Sequence, residues 1–199
     1  MIPESNQQIC AFPRNSGAVI SECGKYRYQL WRVWDEAKPL VLFIMLNPST
    51  ADATKNDRTI SRCINFAKSW GYGGIMVGNI FAFRATKPWN LALANDPVGE
   101  GNNAHLIEMS LKSGLTVAAW GNGRWVERLA TRKGLKPLEG VGVVLHYLEL
   151  CDDGTPKHPL YLKKDLKPKP FSVPKIWIAN YEKGTDVDCS MYEPFQFRK

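Results

Sequence analysis

The stretch VLFIMLNPSTAD, residues 41–52, contains a run of apolar side chains that ends abruptly in polar ones. Leu40 to Leu46 contains no polar residue, which is typical of a strand covered on both faces of a parallel sheet. Asn47, Pro48 and Ser49 follow at once, so a polar amide, a rigid proline and a hydroxyl stand where this strand ends. We predict a central buried strand with a functional site at its carboxyl end. A simple turn is the alternative, because Asn and Pro are common turn residues.

Strands and helices are predicted to alternate along most of the remaining chain. Apolar residues alternate with polar ones over 26–34, recur at helical spacing after Asp57, and fill a second buried strand over 74–80. The pattern then continues with a long loop over 81–101, a helix around 106–111, a strand over 115–120, a helix over 124–133 and a strand over 141–148.

This alternation predicts an α/β protein with a three-layer α/β/α fold around a central, mostly parallel four-stranded sheet, plus an N-terminal strand and a C-terminal tail. A length of 199 residues suits one domain. We predict an irregular N-terminal arm over residues 1–24, the α/β domain over 25–163, and a basic C-terminal extension over 164–199 that packs on the domain.

Composition narrows the function classes. The net charge of +7 fits a polyanionic partner such as DNA. No apolar run approaches the ~20 residues of a membrane span, and no secretory signal is visible, so we expect a cytoplasmic protein, most simply a monomer, that uses no membrane. The five cysteines form no C-x-x-C pair, which disfavours zinc-finger spacing; they are Cys10, Cys23, Cys63, Cys151 and Cys189. We expect no metal and no cofactor, with an iron–sulfur cluster held by distant cysteines as the alternative.

Polar residues follow each predicted strand of the parallel sheet. Ligands of such sheets bind outside the carboxyl ends of the strands, so these residues are the first candidates for a site. They are Asn47 to Asp52, Asn79 to Arg84, Gly121 to Gly123, and the loop 151–159 that contains His158.

Four motifs in the chain resemble a bacterial and phage family known only as a domain of unknown function. They are MLNPSTAD, NDRTISRC, GNIFAFRAT and HPLYL, and the resemblance covers about residues 25–163. It implies no activity.

The same strand ends resemble, more distantly, the uracil-DNA glycosylase superfamily. LNPS resembles the Asn-Pro-Gly or Asp-Pro-Tyr motif that follows a strand there, VGNIFAFRA the strand that ends in a base-reading asparagine, VAAWGNG the strand that ends in Trp-Gly, and HPLYL the His-Pro-Ser motif. The order of the four motifs is the same.

This second resemblance implies a hydrolase, a monofunctional DNA glycosylase that uses base flipping. Asn47 would position the water, with Pro48 fixing its backbone. His158 would donate a hydrogen bond to the pyrimidine carbonyl where negative charge develops. Asn79 would read the Watson–Crick edge of the base, and Phe81 could stack on it.

The residue after the motif proline departs from the strict uracil enzymes, which carry a tyrosine that closes the space around C5 of the base. This chain has Ser49, a small residue. We therefore expect a pyrimidine enlarged at C5, such as the hydroxymethyl- or glycosyl-cytosine of phage DNA, or a uracil-type base. A role in phage defence would follow from such a substrate.

Basic and aromatic side chains near these motifs are candidates for DNA binding. Arg84 follows the asparagine motif, Arg124 opens a predicted helix with arginines four apart, and Lys163 and Lys164 follow the histidine motif. Tyr161 lies where a side chain could wedge into the space left by an extruded base.

Other interpretations remain open from the sequence. The chain could be an enzyme of nucleotide or base modification in phage DNA metabolism, or a non-catalytic module that binds modified DNA. Asp52 could be a catalytic aspartate, whereas Asp57, which precedes Arg58-Thr59-Ile60, is predicted to be a helix cap.

Overall fold

The computed structural model describes residues 15–86, 91, 94–121 and 142–172, and these residues form a single mixed sheet with helices packed against it. In space the strands follow the order β1-β2-β4-β3-β5-β6-β7. In chain order they are β1 (Ser16–Ile20), β2 (Arg27–Val33), β3 (Leu40–Met45), β4 (Gly74–Asn79), β5 (Leu115–Ala118), β6 (Leu145–Tyr147) and β7 (Lys169–Pro170). The mixed α/β class is confirmed, but the sheet is larger than the four strands predicted.

The centre of the sheet is parallel. β3 pairs in parallel with both β4 and β5, and β5 pairs in parallel with β6. The first parallel strand therefore lies between the second and the third, and the direction of the chain connections reverses at β3. Crevices that bind ligands form at such a reversal, outside the carboxyl ends of the strands. Residues 46–52 leave β3 at this point.

The two helices within the described residues, α1 (Arg58–Ser69) and α2 (Asn102–Lys112), pack on opposite faces of the sheet. Phe43 of β3 belongs to the same core cluster as Phe66 of α1. Its neighbour Ile44 belongs to the cluster that contains Leu106 of α2. Because alternate side chains of a strand point to opposite faces, a strand buried on both sides needs apolar residues at every position. This explains the unbroken apolar run.

Antiparallel strands extend the sheet at both edges. β2 pairs with β4, β1 pairs with β2, and β7 pairs with β6, each in antiparallel orientation. The prediction of an irregular arm over 1–24 is wrong for Ser16–Ile20, which forms β1. These five residues carry no strong strand pattern of their own, and their pairing with β2 supplies the missing backbone hydrogen bonds. β7 shows that the predicted C-terminal extension contributes to the sheet.

The remaining sequence predictions differ in detail. The strand predicted over 141–148 is shorter, since β6 comprises Leu145–Tyr147. The helix predicted over 124–133 lies outside the described residues. The cap prediction for Asp57 is confirmed, because its Oδ1 accepts a hydrogen bond from the backbone N–H of Ile60 at 2.8 Å. This cap fixes the start of α1.

Candidate functional site

The carboxyl ends of the parallel strands are joined by backbone hydrogen bonds that continue beyond the strands themselves. Ile80 N–H donates to the carbonyl of Met45 at 2.9 Å, which holds the end of β4 beside that of β3. Ala119 N–H donates to the carbonyl of Ile44 at 2.8 Å and holds the end of β5 on the other side. Gly121 N–H donates to the carbonyl of Pro156 at 3.0 Å. The segments carrying the predicted site residues are therefore adjacent.

The Asn47 amide has a fixed orientation. Its Nδ2 donates to the carbonyl of Ala85 at 2.6 Å and to that of Pro48 at 3.1 Å. Both amide hydrogens are thus directed at protein carbonyls, and Oδ1 is the atom left to accept a hydrogen bond. Asn47 is half-buried and Pro48 is buried, as a positioning role requires. An amide held in this way can orient a water molecule but cannot take its proton.

A hollow of about 520 Å³ is lined in part by Ala85, whose carbonyl accepts a hydrogen bond from the Asn47 amide. Ser49 and Arg84, both predicted site residues, line it as well. Asn47, Asn79 and His158 are not among its lining residues. The complete lining is Gly24, Lys25, Ser49, Thr50, Phe83, Arg84, Ala85 and Thr86. Of the predicted site residues, Ser49 and Arg84 therefore line this hollow, whereas Asn47, Asn79 and His158 do not.

Asn79, the last residue of β4, is buried with 1% of its surface exposed. Its Oδ1 accepts a hydrogen bond from Nη2 of Arg27 at 3.3 Å. Arg27, at the start of β2, is itself only 3% exposed, and its Nη1 donates to the carbonyl of Ala51 at 2.8 Å. Burial lowers the pKa of the Arg27 guanidinium to about 10, so it stays charged at neutral pH. Sequence reasoning missed Arg27, because alternation in β2 gives no sign of a buried arginine.

His158 lies close to Gly121, three residues after the end of β5. A Cβ built on Gly121 would lie 3.0 Å from the Cβ of His158, so the absence of a side chain at Gly121 makes room for the histidine. His158 also caps a short 3-10 helix (Pro159–Tyr161), since its Nδ1 accepts the backbone N–H of Leu160 at 3.3 Å. In a neutral imidazole whose Nδ1 accepts, the proton is on Nε2, which becomes a donor.

The His158 imidazole is held in its neutral form. Burial lowers its pKa from the ordinary value of 6.5, and the nearby carboxylate of Asp57 opposes this only in part. The same carboxylate also opposes, in part, the lowering of the Arg27 pKa by burial. The carboxylate of Asp57, the cap of α1, therefore acts electrostatically on both His158 and Arg27.

The lowered pKa of His158 predicts a dependence of stability on pH. The unfolded chain takes up a proton near pH 6.5, before the folded chain does, so stability that is present above pH 6.5 is lost as the pH falls through the folded pKa. Urea unfolding between pH 7.5 and 5 should show this loss, with a smaller loss in His158→Gln. His105, whose pKa is also lowered by burial, contributes to the loss that the variant retains. An equal loss in both proteins would contradict the buried neutral state of His158.

Gly121 provides a second test of the geometry around His158. Its φ is +84°, so Gly121→Ala should cost about 1–2 kcal/mol of stability and displace the imidazole. Gly71→Ala is the matched control, because Gly71 also has a φ of +84° but has no atom within 4 Å of a Cβ. Both variants should be destabilised similarly, and only Gly121→Ala should shift the NMR titration of His158. A shift in neither variant would contradict the contact.

The loop after β3 is anchored by a second buried arginine of β2. Arg32 Nη2 donates to the carbonyl of Asp52 at 2.6 Å, and its Nε donates to Oδ1 of Asn56 at 2.8 Å. The Asp52 side chain turns back on its own loop, where Oδ1 accepts the backbone N–H groups of Thr54 and Lys55 at 2.9 and 2.8 Å. These hydrogen bonds lower the pKa of Asp52. The structure gives Asp52 a turn-forming role rather than the alternative catalytic one.

Five of the nine buried side-chain polar atoms without a hydrogen-bond partner among the described residues belong to segments at or beside these strand ends, and the other four belong to α1, α2 and β6. Most buried polar groups in proteins are paired, so a concentration of exceptions is a sign of a functional site. They include Nε of Arg27, Nδ2 of Asn79, Nε of Arg84, Nε1 of Trp120 and Oγ1 of Thr155.

The residues predicted to bind DNA or to stack on a base differ in their exposure to solvent. Tyr161 lies on the 3-10 helix after His158 and is 86% exposed, and Lys163 and Lys164 that follow are also exposed. Phe81, predicted to stack on a base, is instead buried in the core on the α2 face, with 1% exposed. Its ring fills the core because the chain stays buried for at least two residues beyond Asn79, the end of β4. Arg124 lies outside the described residues.

The described residues contain neither a cluster of metal ligands nor a membrane-spanning helix. No group of three or more histidine, cysteine, aspartate or glutamate side chains there is placed to hold a metal ion. None of the helices in that part of the chain has the length and apolar character needed to cross a bilayer.

The fold and the strand-end residues define an α/β protein with a parallel sheet centre and a candidate ligand site at its carboxyl edge. More particularly, the chain belongs to the family described as "Protein of unknown function (DUF1643)", whose model matches residues 27–160, more than half of the chain. Comparisons with curated proteins and with solved structures gave no match. Membership of an uncharacterised domain family is thus confirmed, and the likeness to uracil-DNA glycosylases stays a prediction.

Proposed function

We propose that this protein is a DNA glycosylase that hydrolyses the N-glycosidic bond of a flipped pyrimidine and leaves an abasic site. The observation that carries the proposal is the state of His158, a neutral imidazole at the carboxyl edge of the sheet whose Nδ1 is occupied by Leu160 N–H and whose Nε2 is therefore a donor. A fixed neutral donor of this kind stabilises negative charge that develops on a carbonyl oxygen.

The reaction assigns a role to each strand end. As the bond between C1′ and the base nitrogen breaks, the base leaves with the electron pair, and water forms the new bond to C1′ and loses a proton to solvent. Oδ1 of Asn47 would hold that water, since both hydrogens of its Nδ2 are occupied. His158 would stabilise the departing anion, and Asn79 would contact the base edge. Without a general base at Asn47, we expect slow chemistry.

The substrate is proposed to carry a group at C5 of the pyrimidine. Ser49, the residue after the motif proline, lines the hollow of about 520 Å³, and its small side chain leaves space there. Hydroxymethyl- and glycosyl-cytosine of phage DNA, and enlarged uracil-type bases, are the candidates. Such a substrate favours a role in phage defence.

DNA contact is proposed for the segment after His158 and for the rim of the hollow. Tyr161 is a large, almost fully exposed aromatic residue three positions after the histidine, where it could fill the gap left by an extruded base. Lys163 and Lys164 would neutralise phosphates on this side, and Arg84 would do so at the hollow.

The proposal is tested by base release. The full chain is incubated with oligonucleotides that contain uracil, 5-hydroxymethyluracil, cytosine or 5-hydroxymethylcytosine and with natural modified phage DNA; mass spectrometry detects free bases and alkaline cleavage detects abasic sites. We expect release of a C5-substituted base. Release of uracil alone would contradict the C5 assignment, and release of no base from any DNA would contradict the glycosylase.

A non-catalytic module that binds modified DNA is a second candidate. It is favoured by the same Asn47 geometry, because an amide with both hydrogens held by carbonyls can also serve as a rigid part of a binding surface. This candidate requires affinity for modified DNA without release of a base. An enzyme acting on free nucleotides would instead convert a nucleoside substrate as readily as an oligonucleotide.

A further inference from the structure

Arg27 is a buried cation with an unusual set of partners. It is 3% exposed, and within the described residues its side chain donates hydrogen bonds to two neutral acceptors, the carbonyl of Ala51 and Oδ1 of Asn79. None of the carboxylates in the described part of the chain forms a direct ion pair with it. Asp57 and Asp52 act on it only through longer-range attraction. A buried charge is costly unless its surroundings compensate for it, so this arrangement calls for a reason.

The guanidinium fixes which end of the Asn79 amide is available. Every polar hydrogen of arginine is a donor, so the Asn79 atom that faces Nη2 must be the acceptor Oδ1. Nδ2 then points away from the arginine, and it is buried without a partner among the described residues. Nε of Arg27 is in the same condition. Turning the amide over would place Nδ2 of Asn79 against Nη2 of Arg27, two donors, so the observed orientation is the favourable one. In this orientation the pair keeps two donors without a partner among the described residues, Nδ2 of Asn79 and Nε of Arg27.

We propose that Arg27 is a specificity-determining residue, which locks the Asn79 amide so that this end of the site accepts a pyrimidine with an oxygen at C4 and rejects one with an amino group there. The inference rests on the proposed function and narrows its substrates to uracil-type bases with a C5 substituent. An oxygen at C4 accepts from Nδ2 of Asn79, whereas an amino group would leave two buried donors facing each other. The positive charge of Arg27 also favours the oxygen.

The test uses pairs of single-stranded oligonucleotides, so that base pairing does not differ. Each carries one 2′-fluoroarabino nucleotide, which resists hydrolysis, with either 5-hydroxymethyluracil or 5-hydroxymethylcytosine. Fluorescence anisotropy gives Kd for the full-length protein. We expect the wild type to bind the uracil form about 10- to 100-fold more tightly. Arg27→Met should bring the ratio of the two Kd values close to one.

Two further variants separate specificity from folding. Arg32→Met removes the other buried arginine of β2, which holds the same loop but does not contact Asn79, and it should keep the wild-type ratio. Asn79→Asp keeps a partner for Arg27 while presenting an acceptor in place of Nδ2, so it should reverse the ratio. The Asn79→Asp variant tests the inference even if the Arg27→Met variant fails to fold.

The outcomes distinguish this inference from the glycosylase proposal. A wild-type ratio of one, a preference for the cytosine form, or an Arg27→Met variant that keeps the wild-type ratio would each overturn the role of Arg27. Release of 5-hydroxymethylcytosine with tight binding of that form would do so while leaving the glycosylase intact. Selective binding of the uracil form without release of any base would support Arg27 and overturn the glycosylase.

Discussion

Replacing His158 with alanine should slow base release by about 100- to 1000-fold under single-turnover conditions with excess enzyme. The reason is that Nε2 is the only hydrogen-bond donor of the neutral ring once Nδ1 accepts from Leu160 N–H, and an alanine side chain offers no donor. The loss should appear in the rate of the chemical step and much less in DNA affinity, because the charge that His158 stabilises develops in the transition state.

His105→Ala is the matched control for this variant. His105 is another histidine whose pKa is lowered by burial, but it lies on α2, where its ring stacks on Tyr28 and its Nδ1 contacts Nε2 of Gln29 at 2.9 Å. We expect its release rate to stay near that of the wild type. Equal rates in the wild type and in His158→Ala would remove His158 from the mechanism.

Replacing Asn47 with alanine should slow base release about 100-fold, because a misplaced water loses the benefit of orientation. The variant also loses the two hydrogen bonds from Nδ2 to the carbonyls of Ala85 and Pro48, so we expect a cost in stability of about 1 kcal/mol. Single-turnover kinetics and urea unfolding measure the two effects separately. DNA affinity should change little.

Asn56→Ala serves as the control for Asn47. Asn56 is an asparagine in the same loop, and its Oδ1 accepts a hydrogen bond from Arg32. Its replacement therefore also removes a hydrogen bond, but Asn56 does not stand at the end of a strand. Its release rate should match that of the wild type. If Asn47→Ala retained full activity, Asn47 would be a turn residue only. If the wild type released no base and Asn47→Ala still bound DNA, the non-catalytic binding module would be favoured.

Local patterns predicted much of the fold. The apolar run over Leu40 to Leu46 indicated a strand buried on both faces, and Phe43 and Ile44 pack on opposite faces as expected. The cap at Asp57 was predictable because a cap depends on residues three positions apart. The strand Ser16–Ile20 was missed because an edge strand depends on its partner β2, which no local pattern reports.

The candidate site was predictable only in outline. Polar residues that end strands indicated Asn47, Asn79 and His158, and the structure does hold these strand ends side by side. The hollow of about 520 Å³ is lined by Ser49 and Arg84 and not by these three residues, and Asn79 is buried with a hydrogen bond from Arg27. Phe81 was misplaced because a phenylalanine next to a buried strand continues the core.

The sequence by itself determined which segments are buried and which polar residues stand at the strand ends, because both follow from the spacing of apolar side chains. Only the tertiary structure decided which atoms of those residues remain available for a ligand. Arg27 and Asn79 are 52 positions apart and Asn47 and Ala85 are 38 apart, yet their contacts fix both amides. Hydrogen bonds are short and directional, so partners distant in the chain can be identified only once the fold has brought them together.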